Sequence, residues 1–342
     1  MPLVSREPLD EVLSNYDIKV SGIRNETYKD KKGVWWIKTS SGMKVLKKIS
    51  NSESTLKFIL SAVSHLTQNG VLMPAVNKAK DGRDFVNIND TCYVLLDAIE
   101  GKNPTYGSQH LAIIVREMAR FHKASAGFRP PPDSKPKCHL GTWIDDYQQQ
   151  IEDMNSFYKK ELEKKAADPI GKTVIEEFPY FYSRAWKAIE GLRCEEYAAW
   201  VNKAKSTGCL CHQDFAAGNL VLTASGKLYV LDTDSITIDI PARDIRKLLN
   251  KVMKKNGKWD VELTKKIFGY YQSENPLTRD EWKVVGLDIL FPHLFIGAMN
   301  KYYYQRDKEW SKEKYLERIK EMSALEKTIT PVMDRFDSLI PA

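Results

Sequence analysis

Positions 211 to 220 read Cys-His-Gln-Asp-Phe-Ala-Ala-Gly-Asn-Leu, and the apolar run Leu228-Tyr229-Val230-Leu231 ends on Asp232. Asp214 therefore precedes the amide side chain of Asn219 by five residues, and a second carboxylate follows at the end of a strand-like segment. Phosphoryl transfer from ATP needs this set of parts. The transferred group carries dense negative charge, so its chemistry rests on positioning and neutralisation. In this reading Asp214 orients the attacking hydroxyl or takes its proton, while Asn219 and Asp232 offer oxygen ligands to magnesium (Mg2+). His212 would brace the loop by hydrogen bonds rather than touch substrate. Asp234 points the same way as Asp232 if the strand persists, as a further metal ligand or as a solvated neighbour.

Composition bounds the frame around these groups. A chain of 342 residues with 42% apolar and 28% charged residues is globular material, long enough for two lobes with their own cores, and disorder is excluded. The net charge of +7 comes from Lys and Arg scattered among Asp and Glu, which reads as a mixed solvated surface. No basic-aromatic element suggests a nucleic-acid partner. The N-terminus lacks a leader pattern and no uncharged run approaches the ~20 residues that a bilayer requires, so the expectation is cytoplasmic synthesis with no membrane partner. Five cysteines without paired spacing fit a reducing compartment. Cys209, Cys211 and His212 are too crowded on one strand, with no second cluster, to make a convincing zinc site.

The elements that must position the chemistry follow from periodicity. Residues 18–20, 33–39 and 43–49 are rich in branched and aromatic side chains, with Ser40-Ser41-Gly42 as a turn, and predict strands and a hairpin. Leu56, Ile59, Leu60, Val63 and Leu66 give residues 53–66 the spacing of an amphipathic helix. Two short strands are predicted at 85–88 and 93–96. From residue 101 onward the pattern turns helical, with helices over 109–123, 142–168 and 173–205 and from Asp244 to the end, broken near Asn256-Gly257 and Asn275-Pro276. Residues 128–136, rich in proline, predict an extended connector. The expected class is α+β: residues 1–100 form a small antiparallel sheet with one helix, and residues 101–342 form a larger, mainly helical lobe carrying the loop 211–220 and the strand 228–234.

With these parts in order, the chain resembles the choline kinase and aminoglycoside phosphotransferase superfamily, a branch of the protein-kinase-like, two-lobed fold. His212-Gln213-Asp214 stands where that family commonly has His-Gly-Asp, and Leu231-Asp232-Thr233-Asp234 where it has an apolar residue, Asp, an aromatic and an acid. The resemblance makes Lys47, in Val45-Leu46-Lys47, the strand lysine on ATP phosphates. It makes Leu96 to Gly101 the hinge beside adenine, with Leu96 and Ala98 as nucleotide contacts, and Glu53 the helix partner of Lys47. No Gly-rich loop covers the phosphates; the hairpin 27–33 instead carries Lys29, Lys31 and Lys32, which could help hold them. Gln213 fills a position usually held by Gly. Within the superfamily the chain is similar to the CotS-type spore coat proteins of bacilli, on Leu60 to Leu66 with Asn69-Gly70-Val71, Gly141-Thr142-Trp143 and Phe291-Pro292-His293 before Tyr302-Tyr303-Tyr304. That likeness implies deposition in the spore coat among other coat proteins, with ATP and Mg2+ as ligands and an alcohol hydroxyl of a small molecule or coat component as acceptor. It equally admits a structural coat component that keeps the fold and does no chemistry.

Three further candidates have simpler readings. Asp244 opens a helix and would meet its orphan amides. His122 lies on a helix with no partner visible in sequence and reads as a packed histidine. Phe295, Tyr302, Tyr303, Tyr304 and Trp310 could stack a sugar or enclose a quaternary ammonium, but read first as core.

Overall fold

The structure, a computed structural model, describes residues 7–29, 32–307 and 309–341. The chain forms two compact units. The first comprises Met1–Thr105, Phe128–Lys137 and Ala217–Thr237, and the second Tyr106–Gly127, Cys138–Ala216 and Ile238–Ala342. A single cut after residue 100 does not describe this division, because the connector and the metal-strand segment both belong to the first unit.

In the first unit the short helix α1 (Leu9–Ser14) precedes strands β1 (Val20–Lys29), β2 (Lys32–Thr39) and β3 (Gly42–Ile49), and β4 (Val76–Asn77), β5 (Val86–Ile88) and β6 (Thr91–Asp97) complete the sheet. The order is β1-β2-β3-β6-β4, with β5 also paired to β6, and the pairs are antiparallel. Alternation along β3 decides where its chemistry goes. Leu46 pairs with Leu95 and is buried with Trp35, Ile37, Tyr93 and α1 on one face, so Lys47, paired with Val94, points to the other. That second face is covered by helix α2 (Glu53–Gln68), whose Leu56 packs with Ile49, Phe85 and Val94. Ser52 caps α2 by accepting from the Thr55 amide. The proline-rich connector returns to α2: Phe128 meets Phe58 and His65 edge to face, and the Lys135 amide donates to the Ser54 carbonyl.

The second unit is helical: α3 (Ser108–Ala124), α4 (Trp143–Leu162), α5 (Pro169–Leu192), α6 (Glu195–Thr207), α7 (Ala242–Asn256), α8 (Val261–Gln272), α9 (Arg279–Leu290), α10 (His293–Tyr303) and α11 (Lys312–Lys327), then short turns at Thr330–Asp334 and Phe336–Leu339. The helix expected over 173–205 is two helices. It begins earlier, where Asp168 accepts from the Gly171 amide, and breaks at Arg193-Cys194, where Cys194 takes extended backbone. The continuous apolar spacing hid that break. By length and composition the stretch Arg279–Tyr303 could cross a membrane, which the sequence reading missed. In the structure it turns at Phe291-Pro292, and Trp282, Val284, Val285, Phe295, Ile296 and Met299 are buried core.

Candidate active site

Lys47 and the two aspartates predicted to hold metal come together in the first unit. The Lys47 ammonium lies 3.1 Å from Asp232 Oδ1 and 4.0 Å from Asp234 Oδ1. Asp232 sits at φ 55°, ψ 59°, a left-handed conformation that costs a non-glycine residue energy and is tolerated best by Asp and Asn. It directly follows the hairpin Leu220–Leu222/Leu228–Val230, and a tight turn at Thr233–Ser235 then carries Asp234 back toward Lys47. Two further lysines join. Lys32, from the hairpin flagged in sequence, lies 3.6 Å from Asp234 Oδ2, and Lys137 donates to the Asp234 carbonyl at 2.8 Å. Burial lowers the Lys137 pKa, against the pull of Asp234. Lys31 and the side chain of Lys29 lie outside the described residues. Three ammonium groups around two carboxylates form an arrangement in which a polyphosphate and a divalent cation could each find opposite charge.

Asn219 ends a short turn, Ala217–Asn219, that Asn103 clamps: its Nδ2 donates to the carbonyls of Gly218 at 3.2 Å and Leu220 at 2.8 Å. The Asn219 carbonyl in turn accepts from the Leu231 amide at 2.8 Å, tying the turn to the segment that delivers Asp232. The hinge is tied to the same hairpin, since Lys102 and Leu222 exchange backbone hydrogen bonds at 3.0 and 2.9 Å. Gly101 makes that approach possible, because a Cβ there would lie 2.5 Å from the Leu222 carbonyl oxygen. Only glycine fits without displacement.

The Ala98 N–H donates to the Met43 carbonyl at 3.1 Å, whereas the adjacent Ile99 amide has no hydrogen-bond partner among the described residues. Leu96 lines a small cavity of about 40 Å³ with Leu56, Ile59 and Met73, and Lys47 and Asp232 line it too. Glu53 does not pair with Lys47. Its carboxylate accepts from Asn87 at 2.8 Å and lies 3.8 Å from Lys57, because a residue in the first turn of α2 is held beside β5.

The loop at 211–214 belongs to the second unit and is held from beneath. Asp244, fully buried, accepts from the backbone amides of His212 at 2.6 Å and Gln213 at 2.8 Å. It therefore serves the loop and not the amides of its own helix, as the sequence reading had it. His122 Nε2 lies 3.2 Å from Asp244, and its Nδ1 lies 2.9 Å from the Tyr271 hydroxyl, so this histidine is a partnered member of the network. Burial acts to raise the Asp244 pKa, but the hydrogen bond and charge of His122, with the charges of His212 and Lys247, hold it below the ordinary carboxylate range. His212 is buried between Phe121 and Phe215, and its Nδ1 accepts from the Asp214 amide at 3.3 Å, the bracing part expected of it.

Gln213 has φ 71°, which is the physical reason a glycine suits this position. Its side-chain oxygen and its carbonyl both accept from Lys247, at 2.6 and 2.8 Å, and the next lysine on the same face of α7, Lys251, ion-pairs with Asp214. Asp244, Lys247 and Lys251 recur at helical spacing, a signal present in the sequence but not used there. Cys211 completes a buried group with His122 and Asp244 whose candidate ligand atoms lie within 4.8 Å of one another. Burial pushes its thiol well above the usual range and Cys209 up to about 12, so both stay protonated, and Cys211 donates to the carbonyls of Asp239 and Ile240. Held this way, the three side chains brace the loop.

The aromatic cluster divides. Phe295 is core, whereas Tyr302, Tyr303 and Trp310 with Lys160, Lys164 and Lys312 line an open concavity of about 590 Å³, and Tyr304 is exposed.

With this geometry in place, comparison with known proteins is informative. The family described as "Spore coat putative kinase YutH" matches residues 11–336. Spore coat protein S of Bacillus subtilis is 28% identical over 97% of this chain and 94% of its own length. Among solved structures, an aminoglycoside phosphotransferase from Alicyclobacillus acidocaldarius superposes with a TM-score of 0.82 at 17% identity, covering 98% of each chain. An amicoumacin kinase in complex with AMP-PNP, Ca2+ and Ami superposes with a TM-score of 0.61 at 14% identity, over 93% of this chain and 92% of that one. These likenesses give the fold: α+β and kinase-like, with a small antiparallel sheet followed by a larger helical part.

Proposed function

The chain belongs to the spore coat kinase family whose description it matches along nearly its whole length, and from that premise we propose that it binds ATP with Mg2+ and phosphorylates an alcohol. The observation that carries this reading is the group of Lys47, Lys32 and Lys137 around Asp232 and Asp234. Lys47 would hold phosphate oxygens, and Asp232, Asn219 and Asp234 would hold the metal. The metal would neutralise charge on the phosphates. The free amide of Ile99 would donate to the base, and Leu96 would pack near it. Asp214 would accept a hydrogen bond from the acceptor hydroxyl and take its proton as the oxygen bonds to the γ-phosphorus and the bond to the ADP oxygen breaks. The brace through Asp244 and His212 holds Asp214 at a fixed backbone position, which is the part of catalysis that this unit supplies. Like its B. subtilis relative, named a spore coat protein, the product of this sequence would be made in the cytoplasm and act in the coat, beside other coat proteins.

One observation favours a second reading, a coat scaffold without turnover: Glu53 is engaged by Asn87 and leaves Lys47 to the aspartates. A thermal-shift titration with ATP and Mg2+ separates the two. Binding to the folded state must raise the apparent stability, by about 2.7 kcal/mol at a hundredfold excess over Kd. The expected result is a shift that is lost in Asp232→Asn and kept in Asp214→Asn. No shift at millimolar nucleotide would sink the proposal and leave the scaffold.

A further inference from the structure

The charge around Asp214 bears on what the acceptor is. Helix α7 carries Arg243, Arg246, Lys247, Lys251, Lys254 and Lys255 against the single acid Asp244. Arg243 pairs with Asp239, Arg246 lies 3.2 Å from Asp288, and Asp244 is taken by the loop amides and His122. Of the four lysines, Lys247 and Lys251 turn to the loop, and Lys247, Lys251 and Lys255 follow one another at i, i+4, i+8 along a single face.

That face begins at the catalytic loop. Lys247 holds the Gln213 carbonyl and side chain, and Lys251 holds the Asp214 carboxylate, with about half of the Asp214 side chain and a third of the Lys251 side chain open to solvent. Lys255 is exposed and has no carboxylate partner among the described residues. Burial, then the charge of Arg246, lowers the Lys247 pKa to about 8. A cationic acceptor approaching Asp214 would meet like charge from Lys251 and Lys255. An acceptor that carries an acid beside its hydroxyl would compete with Asp214 for Lys251 and bring its hydroxyl to that carboxylate.

Resting on the phosphotransferase reading above, we propose that the acceptor is an anionic alcohol, a hydroxyl compound bearing a carboxylate or phosphate, and that Lys251 is the residue that selects it. Lys255 extends the same positive face, and a short acidic saccharide would span both lysines.

The test uses the full-length protein saturated with Mg·AMP-PNP, titrated with D-glucuronate and glycerol 3-phosphate as anionic probes and with choline and 3-amino-1-propanol as cationic ones. Binding is read by thermal shift and turnover by ADP release when ATP replaces the analogue. The expected result is binding of the anionic probes only, weakened about tenfold in Lys251→Met and relieved by salt, with the nucleotide shift of that variant unchanged. Preference for the cationic probes, failure of both anionic probes to bind, or equal anion affinity in wild type and Lys251→Met would each overturn it. Should Mg·AMP-PNP itself give no shift, the phosphotransferase reading falls separately, and the anion titration of the nucleotide-free protein still decides whether Lys251 marks an anion site.

Discussion

The Lys47 cluster of the first unit and the loop brace of the second use the same groups, carboxylates beside cations and amides, to opposite ends. Around Lys47 one acid faces solvent: the Asp232 side chain is 49% exposed, whereas Lys47, its partner at 3.1 Å, is 19% exposed and Asp234 17%. Around Asp244 they are sealed, with His122, His212 and the carboxylate all buried. An exposed ion pair contributes little to stability and exchanges readily for a ligand, whereas a buried, fully hydrogen-bonded carboxylate fixes geometry and is costly to disturb. The first arrangement suits a site that must open to a nucleotide. The second suits a loop that must not move.

The contrast can be broken in order of effect. Asp214→Asn should cut ADP release by about 10²–10⁴-fold while leaving the nucleotide-induced thermal shift in place, since it removes the proton acceptor and no phosphate contact. A variant that turns over normally would remove Asp214 from the chemistry. Asp244→Ala should cost about 3–5 kcal/mol in urea unfolding, because it strands the amides of His212 and Gln213 and the ring of His122 in a dry interior. Asp232→Ala, by contrast, should cost less than about 1 kcal/mol without ligand. Equal costs would erase the distinction between the two regions.

Acid sensitivity sharpens it further. Burial, then the charge of Arg246, depresses the His293 pKa to about 4, against the favourable hydrogen bond to Asp288. The unfolded chain binds this proton near the ordinary value of about 6.5, so the neutral buried ring stabilises the fold fully above that pH, and the contribution is lost as pH falls from there toward 4. Unfolding midpoints measured across that window should fall in the wild type and flatten in His293→Gln. The smallest effect is reserved for Glu53→Ala, which should lower stability by no more than about 1 kcal/mol, since it removes the acceptor of Asn87 and an exposed ion pair with Lys57, and should leave nucleotide affinity unchanged because it does not touch Lys47.

What was legible in the sequence follows the same divide. Groups that act from one short segment could be read directly: the hairpin around Gly42, Lys47 on its strand, and Asp214, Asn219 and Asp232 in their order. Partners brought in by the fold from distant segments could not be read, and these are His122 with Asp244 across 122 positions, Lys137 on the Asp234 carbonyl, and Asn103 on the 217–220 turn. Glu53 was misplaced for a related reason. Its partner depends on which way a first-turn side chain points, and that is not written in residue type. Gln213 shows the reverse case, where an unusual residue became intelligible once its positive φ and the two bonds from Lys247 were seen.

The measurement that bears most directly on the central claim is isothermal titration of the full-length protein with ATP, in Mg2+ and again in EDTA. A saturable heat in Mg2+ with Kd in the micromolar to low millimolar range, abolished by EDTA and by Asp232→Asn, is the predicted result. No binding heat at millimolar Mg·ATP, or a heat indifferent to both the metal and Asp232, would contradict the assignment of the Lys47 cluster as a nucleotide site.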